Sequence, residues 1–220
     1  MKKLFATVTL SVALATQVSA QVLTFEGIAD GAAIGNFYNG GAGTNFGIDF
    51  FGNALARRSR VNGCNGGGNF AQHPSGCTIL FFLESSSTGM NRAAGFTTGF
   101  SLFYTAAFNP GSLQVFSGLN GTGTLLASLG LPTTGNGAAL PGCGGTSFCP
   151  FAPVGIGFAG TAQSIVFAGV ADQIGFDDVT FGSVTPGAPV VPEPSTYLLV
   201  ASGLFGLGLV RRRRTSKRQG

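Results

Sequence analysis

Glycine constrains this chain more than any other residue. It fills 37 of 220 positions, and between the two ends it breaks the apolar sequence into short runs. A glycine inside a helix costs roughly 1 kcal/mol relative to alanine, so a mainly helical body is excluded. No strict Gly-X-Y period is present, which excludes a collagen-like triple helix. Charged residues make up only 9%, against about a quarter in ordinary soluble domains. That excludes a coiled coil, a charged disordered tail and the surface of a typical cytosolic enzyme. The length allows one domain with appendages.

The body, residues 21–183, reads as short strands separated by turn signals. The segments are 22–25, 46–51, 78–83, 96–104, 113–115, 125–126, 156–158, 165–167 and 174–181. Residues 78–83 (Thr-Ile-Leu-Phe-Phe-Leu) form a run of the buried kind. Over 96–104, Phe96, Phe100, Leu102 and Tyr104 share one parity. The glycines from Gly118 to Gly123 supply a turn before Leu125. No run in the body keeps a helical period beyond about two turns. The expected fold is all-β: an antiparallel β-sandwich, jelly-roll-like. Residues 135–153 read as a long loop. Residues 184–191, with Pro186 and Pro189, read as an extended, semi-rigid linker.

The formal charge of +4 belongs to the ends. Lys2 and Lys3 open the chain, and Arg211, Arg212, Arg213, Arg214, Lys217 and Arg218 close it. Between them, four arginines face all eight acidic residues. An acidic body lacks the electrostatic footprint of a nucleic-acid binder. Residues 1–20 have a basic start, an apolar stretch and Val18-Ser19-Ala20, the pattern of a secretory signal peptide cleaved before Gln21. Near the other end, Pro192-Glu193-Pro194 precedes an uncharged segment over 196–210, expected as one transmembrane helix, and then Arg211 to Arg214. Arginines after such a helix stay on the cytoplasmic side, so the body is held outside. The apolar stretch from Tyr197 spans about 21 Å, short of the ~30 Å hydrocarbon core. Snorkelling arginines and local thinning make up the difference. A buried core helix is the alternative on length alone.

Residues 192–214 therefore resemble the PEP-CTERM sorting signal of bacterial envelope and secreted proteins. That resemblance implies a partner, an exosortase, which is a membrane-embedded cysteine transpeptidase-like enzyme. It would recognise Pro192, Glu193 and Pro194 and remove the tail nearby. The protein would then pass from an inner-membrane-tethered precursor to the cell surface or medium. Such proteins are often found in bacteria that make extracellular polysaccharide. The body is similar to generic extracellular β-sandwich domains of such proteins through 100–104, 121–127 and 174–181. Related sandwiches include carbohydrate-binding modules.

Four cysteines allow three pairings, and export places them where disulfides persist. The expected bridges are Cys64–Cys77 and Cys143–Cys149, each closing a short glycine-rich loop. A zinc site is not expected, because His73 is the only histidine and the spacing fits no zinc motif.

Asp177 and Asp178 sit where the apolar parity flips, from Ile174 and Phe176 to Val179 and Phe181. A β-bulge would produce that flip. In jelly-roll binding modules the first and last strands often share a calcium ion, so Glu26, Asp30, Asp177 and Asp178 are candidate ligands for a structural Ca²⁺. The alternative is that the pair faces solvent or a nearby arginine or backbone donor.

The body is not expected to be an enzyme. Neighbouring strand carboxylates point to opposite faces, which suits glycoside hydrolysis poorly. A Ser-His-acid triad would have to use His73, and no Gly-x-Ser-x-Gly elbow follows a strand. Two readings remain: a structural envelope protein, or a module binding extracellular polysaccharide. Phe37-Tyr38 is the one aromatic pair expected to be exposed for sugar contact. Arg57-Arg58-Ser59-Arg60 is expected as a solvated loop.

Overall fold

The glycine-punctuated runs assemble into two antiparallel sheets, which the computed structural model describes over residues 21–187. In the first sheet β3 (Ala54–Arg58), β4 (Thr78–Phe82), β11 (Gly175–Phe181), β6 (Gly99–Thr105) and β9 (Ala152–Gly157) lie side by side. There β1 (Gln21–Leu23) adds to β11. The second sheet runs β2 (Ile48–Gly52), β5 (Ser87–Phe96), β10 (Ala162–Ala168), β7 (Gly111–Phe116) and β8 (Leu125–Leu131). No helix occurs among the described residues. The all-β antiparallel architecture read from the sequence is the one found.

One core joins the sheets. Leu80, Phe82, Phe100, Leu102 and Phe176 contribute from the first, and Ile48, Met90, Leu113, Ile165 and Phe167 from the second. Phe167 meets Phe100 edge-on at 6.2 Å and Phe176 at a tilt at 5.0 Å. Aromatic pairs in such geometry add roughly 0.5–1.5 kcal/mol beyond burial.

The structure departs from the sequence reading at three places. Residues 96–104 are not one strand. β5 ends at Phe96, Thr98 turns with φ 78°, and β6 starts at Gly99 in the other sheet. The shared parity therefore spans a change of sheet. Two strands were not expected, β3 and β5. β3 buries only the small Ala54 and Ala56 on one face and carries Arg57 and Arg58, so Arg57 and Arg58 belong to a strand, not a solvated loop. β5 has polar Asn91 where an apolar residue would signal burial. Asn91 exchanges hydrogen bonds with Asn120, and Ser164 donates to the Gly118 carbonyl, so the 117–124 loop covers that face.

Cys64 is bonded to Cys77 and Cys143 to Cys149, with Cα separations of 5.5 and 5.8 Å. The first bridge ties the loop after β3 to the start of β4. By the loop-entropy account it contributes roughly 3 kcal/mol. We expect the double substitution Cys64→Ser, Cys77→Ser to lower Tm by roughly 6–12 °C. The Cys143→Ser, Cys149→Ser pair, closing a shorter loop, should lower it less. Calorimetry of the two variants beside the parent checks both values and their order.

Candidate functional sites

β11 changes neighbours part-way along its length. Phe176 pairs with Leu80 of β4, whereas Val179, Thr180 and Phe181 pair with Leu23, Val22 and Gln21 of β1. On its other side the register to β6 slips between Asp177 and Thr180, and Asp178 adopts φ 48°. This is the irregularity that the parity flip signals, placed at the handover from β4 to β1.

Side chains fill the gap left there. Glu26 accepts the N–H groups of Cys77 and Thr78 at 2.7 and 2.6 Å. Its carboxyl lies where a Cβ on Gly76 would sit, 2.2 Å from that position, and Gly76 has φ +42°. Only glycine fits that turn. Ser75 offers its N–H and hydroxyl to Asp177 in long bonds of 3.4 Å, and the Asp178 N–H donates to Asp177 Oδ1 at 2.8 Å. Asp177 is fully buried. Burial first, then the charges of Asp178 and Glu26, push its pKa up to about 9. Burial also raises that of Asp178, whose Oδ1 is enclosed without a partner.

The four expected calcium ligands do not come together. Asp30 lies apart at β3, accepting the N–H groups of Arg58 and Gly67 at 2.8 and 2.9 Å, with Arg57 Nη1 at 3.5 Å. Burial works to raise the Asp30 pKa, but those N–H groups and the two arginines outweigh it and leave it lowered. Among the described residues no group of three or more His, Cys, Asp or Glu is placed to hold a metal ion. Glu26 and Asp177 are instead taken up by backbone N–H groups around the bulge. His73 Nδ1 meets the carbonyl of Ser75 at 2.9 Å, not its hydroxyl.

The aromatic pair expected outside is mostly inside. Tyr38 is buried, its Oη accepting the Phe25 N–H at 2.8 Å, and Phe37 packs edge-on against it at 4.9 Å. That bond holds Phe25 at φ 60°, where β1 turns away from the sheet. Among the described residues the exposed aromatic is Phe108, at 54%. It leans edge-on against Phe148 at 6.1 Å, beside a groove of about 310 Å³ on the outer side of the first sheet. Phe81 also lines the groove, with the Arg57 guanidinium 5.9 Å from its ring centre. Asn69, Asp172 and Gln173 add polar groups, and Asn69 Oδ1 is buried without a partner. No spacing in the sequence marks these residues. Loops far apart in the chain bring them together.

The C-terminal exit is tied down as far as it is described. Gly187 N–H donates to Thr180 Oγ1 at 3.1 Å, and Val184 packs where Gly99 and Gly155 lack side chains. Beyond it, residues 190–214 match the family model of the PEP-CTERM protein-sorting motif. The chain carries a PEP-CTERM sorting signal. Pro192, Glu193, Pro194, the expected helix 196–210 and Arg211 to Arg214 lie in the PEP-CTERM segment, outside the described residues, as do residues 1–20. Among the described residues no helix is long and apolar enough to cross a membrane.

No curated protein matches the PEP-CTERM chain. Among solved structures it is similar to the K2 cleaved adhesin domain of Lys-gingipain, with 11% identity and a TM-score of 0.48 over 74% of this chain and 98% of that one. It is also similar to CsCBM6-3 from Clostridium stercorarium in complex with cellobiose (16%, TM-score 0.38, 73% and 92%). A third is the family 11 carbohydrate-binding module from Clostridium thermocellum in complex with a mixed-linked tetrasaccharide (10%, TM-score 0.34, 76% and 96%). At these identities and scores no ligand follows for this chain.

The raised pKa of Asp177 has a consequence for stability. The folded state keeps the proton up to about pH 9, whereas the free side chain releases it near 3.8. Between those values the folded state binds more protons, so stability falls as pH rises through the window. Asp177→Asn, which cannot ionise, should melt above the parent at about pH 8 and close to it at about pH 4. Melting curves of both proteins across that range test this, and parallel curves would show that Asp177 is not protonated in the fold.

Proposed function

We propose that the protein is a non-catalytic component of a bacterial cell envelope, exported and then sorted by an exosortase acting at Pro192-Glu193-Pro194. The PEP-CTERM match over 190–214 carries this reading. The arginines from Arg211 onward would hold the tail in the cytoplasm while the apolar segment tethers the precursor to the inner membrane. Removal of the tail would then free the sandwich at the surface or into the medium. The body suits such cargo. It is closed by two disulfides, and Glu26, Asp30 and Asp177 are occupied by structural bonds at β3, β4 and β11.

A second reading concerns what the delivered body contacts. The groove beside Phe108 combines an exposed aromatic, amide side chains and an unpartnered buried acceptor in Asn69. Apolar surface with a few placed polar groups is the usual makeup of a ligand site, and about 310 Å³ is at the small end of the range. Arg57 and Asp172 carry opposite charges there, which favours a neutral polyhydroxylated ligand, an extracellular polysaccharide, over a charged one.

Two outcomes are expected. Pro192→Ala with Pro194→Ala should leave the protein in the membrane fraction, where the parent is released or surface-attached. Equal distribution of the two in fractionated cells would refute the sorting role of the motif. Phe108→Ala should weaken retardation by a neutral soluble polysaccharide in affinity electrophoresis several-fold, with the melting temperature nearly unchanged.

A further inference from the structure

Two sheets leave four edge strands of five residues or more, besides the three-residue β1, and an exposed edge offers unpaired N–H and C=O groups to another chain. Three of the four are protected. Along β3, Gly31 and Ile34 donate to the carbonyls of Ala56 and Ala54, and Ala56 donates back to Ala32. Along β2, Ile48 and Phe50 donate to Tyr38 and Gly35. β9 contains Pro153, which has no N–H to offer.

β8 has no such protection. It is the outer strand of the second sheet, paired only with β7. Among the described residues no hydrogen bond outside that pairing reaches 125–131. Its sequence, Leu-Leu-Ala-Ser-Leu-Gly-Leu, carries no charge and no proline. Leu125 is 48% exposed, and Leu126, Ala127 and Leu129 are only partly covered by the core. The neutrality extends far beyond the strand. No charged residue or histidine occurs between Arg92 and Asp172.

We infer that β8 is a self-association edge whose partner is β8 of a second copy of this chain, paired antiparallel about a two-fold axis near Ser128. Antiparallel pairing of a strand with itself is two-fold by geometry, so one surface serves both copies. Self-pairing requires that a strand not repel its own charges, and this uncharged strand meets that requirement. The pair joins two five-stranded sheets into one of ten and covers the half-exposed leucines. Aggregation-resistant proteins place lysine or proline on such an edge, and here the three other edges are managed while β8 is left open.

The test uses the full chain in the envelope of an exporting host. All four native cysteines are in disulfides, so one added thiol reports contact. Residues facing each other across an antiparallel pair have Cα atoms about 4.5–5.5 Å apart, within disulfide reach. Ser128→Cys should give a covalent dimer on non-reducing gels, and Thr97→Cys, on an exposed turn remote in sequence from β8, should not. The variant Ser128→Lys, Gly130→Lys should convert a dimer, measured by sedimentation of the detergent-extracted protein, to monomer. Position 130 accepts a side chain, since a Cβ there meets nothing within 4 Å. A monomeric parent whose Ser128→Cys form cross-links no more than Thr97→Cys would overturn the inference. So would a dimer that survives the lysine variant without cross-linking at 128. It would place the contact elsewhere.

Discussion

β11 has three partners, and that constraint organises the first sheet. A strand can hold two neighbours along its whole length. Here β6 takes one side, and β4 and β1 divide the other. The handover leaves backbone groups that must find partners elsewhere, because an unmade buried hydrogen bond costs roughly 1–3 kcal/mol. Glu26 satisfies the N–H groups of Cys77 and Thr78, and Asp177 satisfies that of Asp178. The Cys64–Cys77 bridge then holds the Ser75–Cys77 turn against the bulge. Glu26 and Asp177 work as local backbone caps, and burial is the main cause of the raised Asp177 pKa.

A body built this way exposes little chemistry of its own. Its charges are few, and the long uncharged stretch between Arg92 and Asp172 supplies most of the second sheet. The two surfaces that remain open differ in kind. The groove beside Phe108 offers a small, mixed polar and aromatic face, and β8 offers backbone. Both suit a protein whose work is contact at a surface, which agrees with an address written into its last residues.

The sequence disclosed some of this and hid the rest, for identifiable reasons. Strands with alternating large apolar residues, such as β6 and β10, were legible because one face is filled by phenylalanine and leucine. β3 and β5 were not, because small or polar residues are buried there by loops from distant parts of the chain. The bulge was legible because a one-residue insertion reverses parity in the sequence itself. The cysteine pairs were legible because each closes a short loop. Asp30 lies apart from Glu26 because a turn that the sequence does not mark sends it to β3. Tyr38 looked like an exposed platform because its asparagine- and glycine-rich neighbours suggest a free loop, yet its hydroxyl holds the Phe25 N–H in the core. Nothing local marks Asn69, Phe108 and Gln173 as neighbours, since only the tertiary fold does so.

In the proposed function this sandwich is cargo delivered by a removable C-terminal address. The intact mass of the protein recovered from its own host, taken fraction by fraction, tests that most directly. The account predicts a surface or secreted species that starts at Gln21 and ends near Pro192 to Ser195. A single species running through to Gly220 in the membrane fraction would contradict it and leave the segment as a permanent anchor.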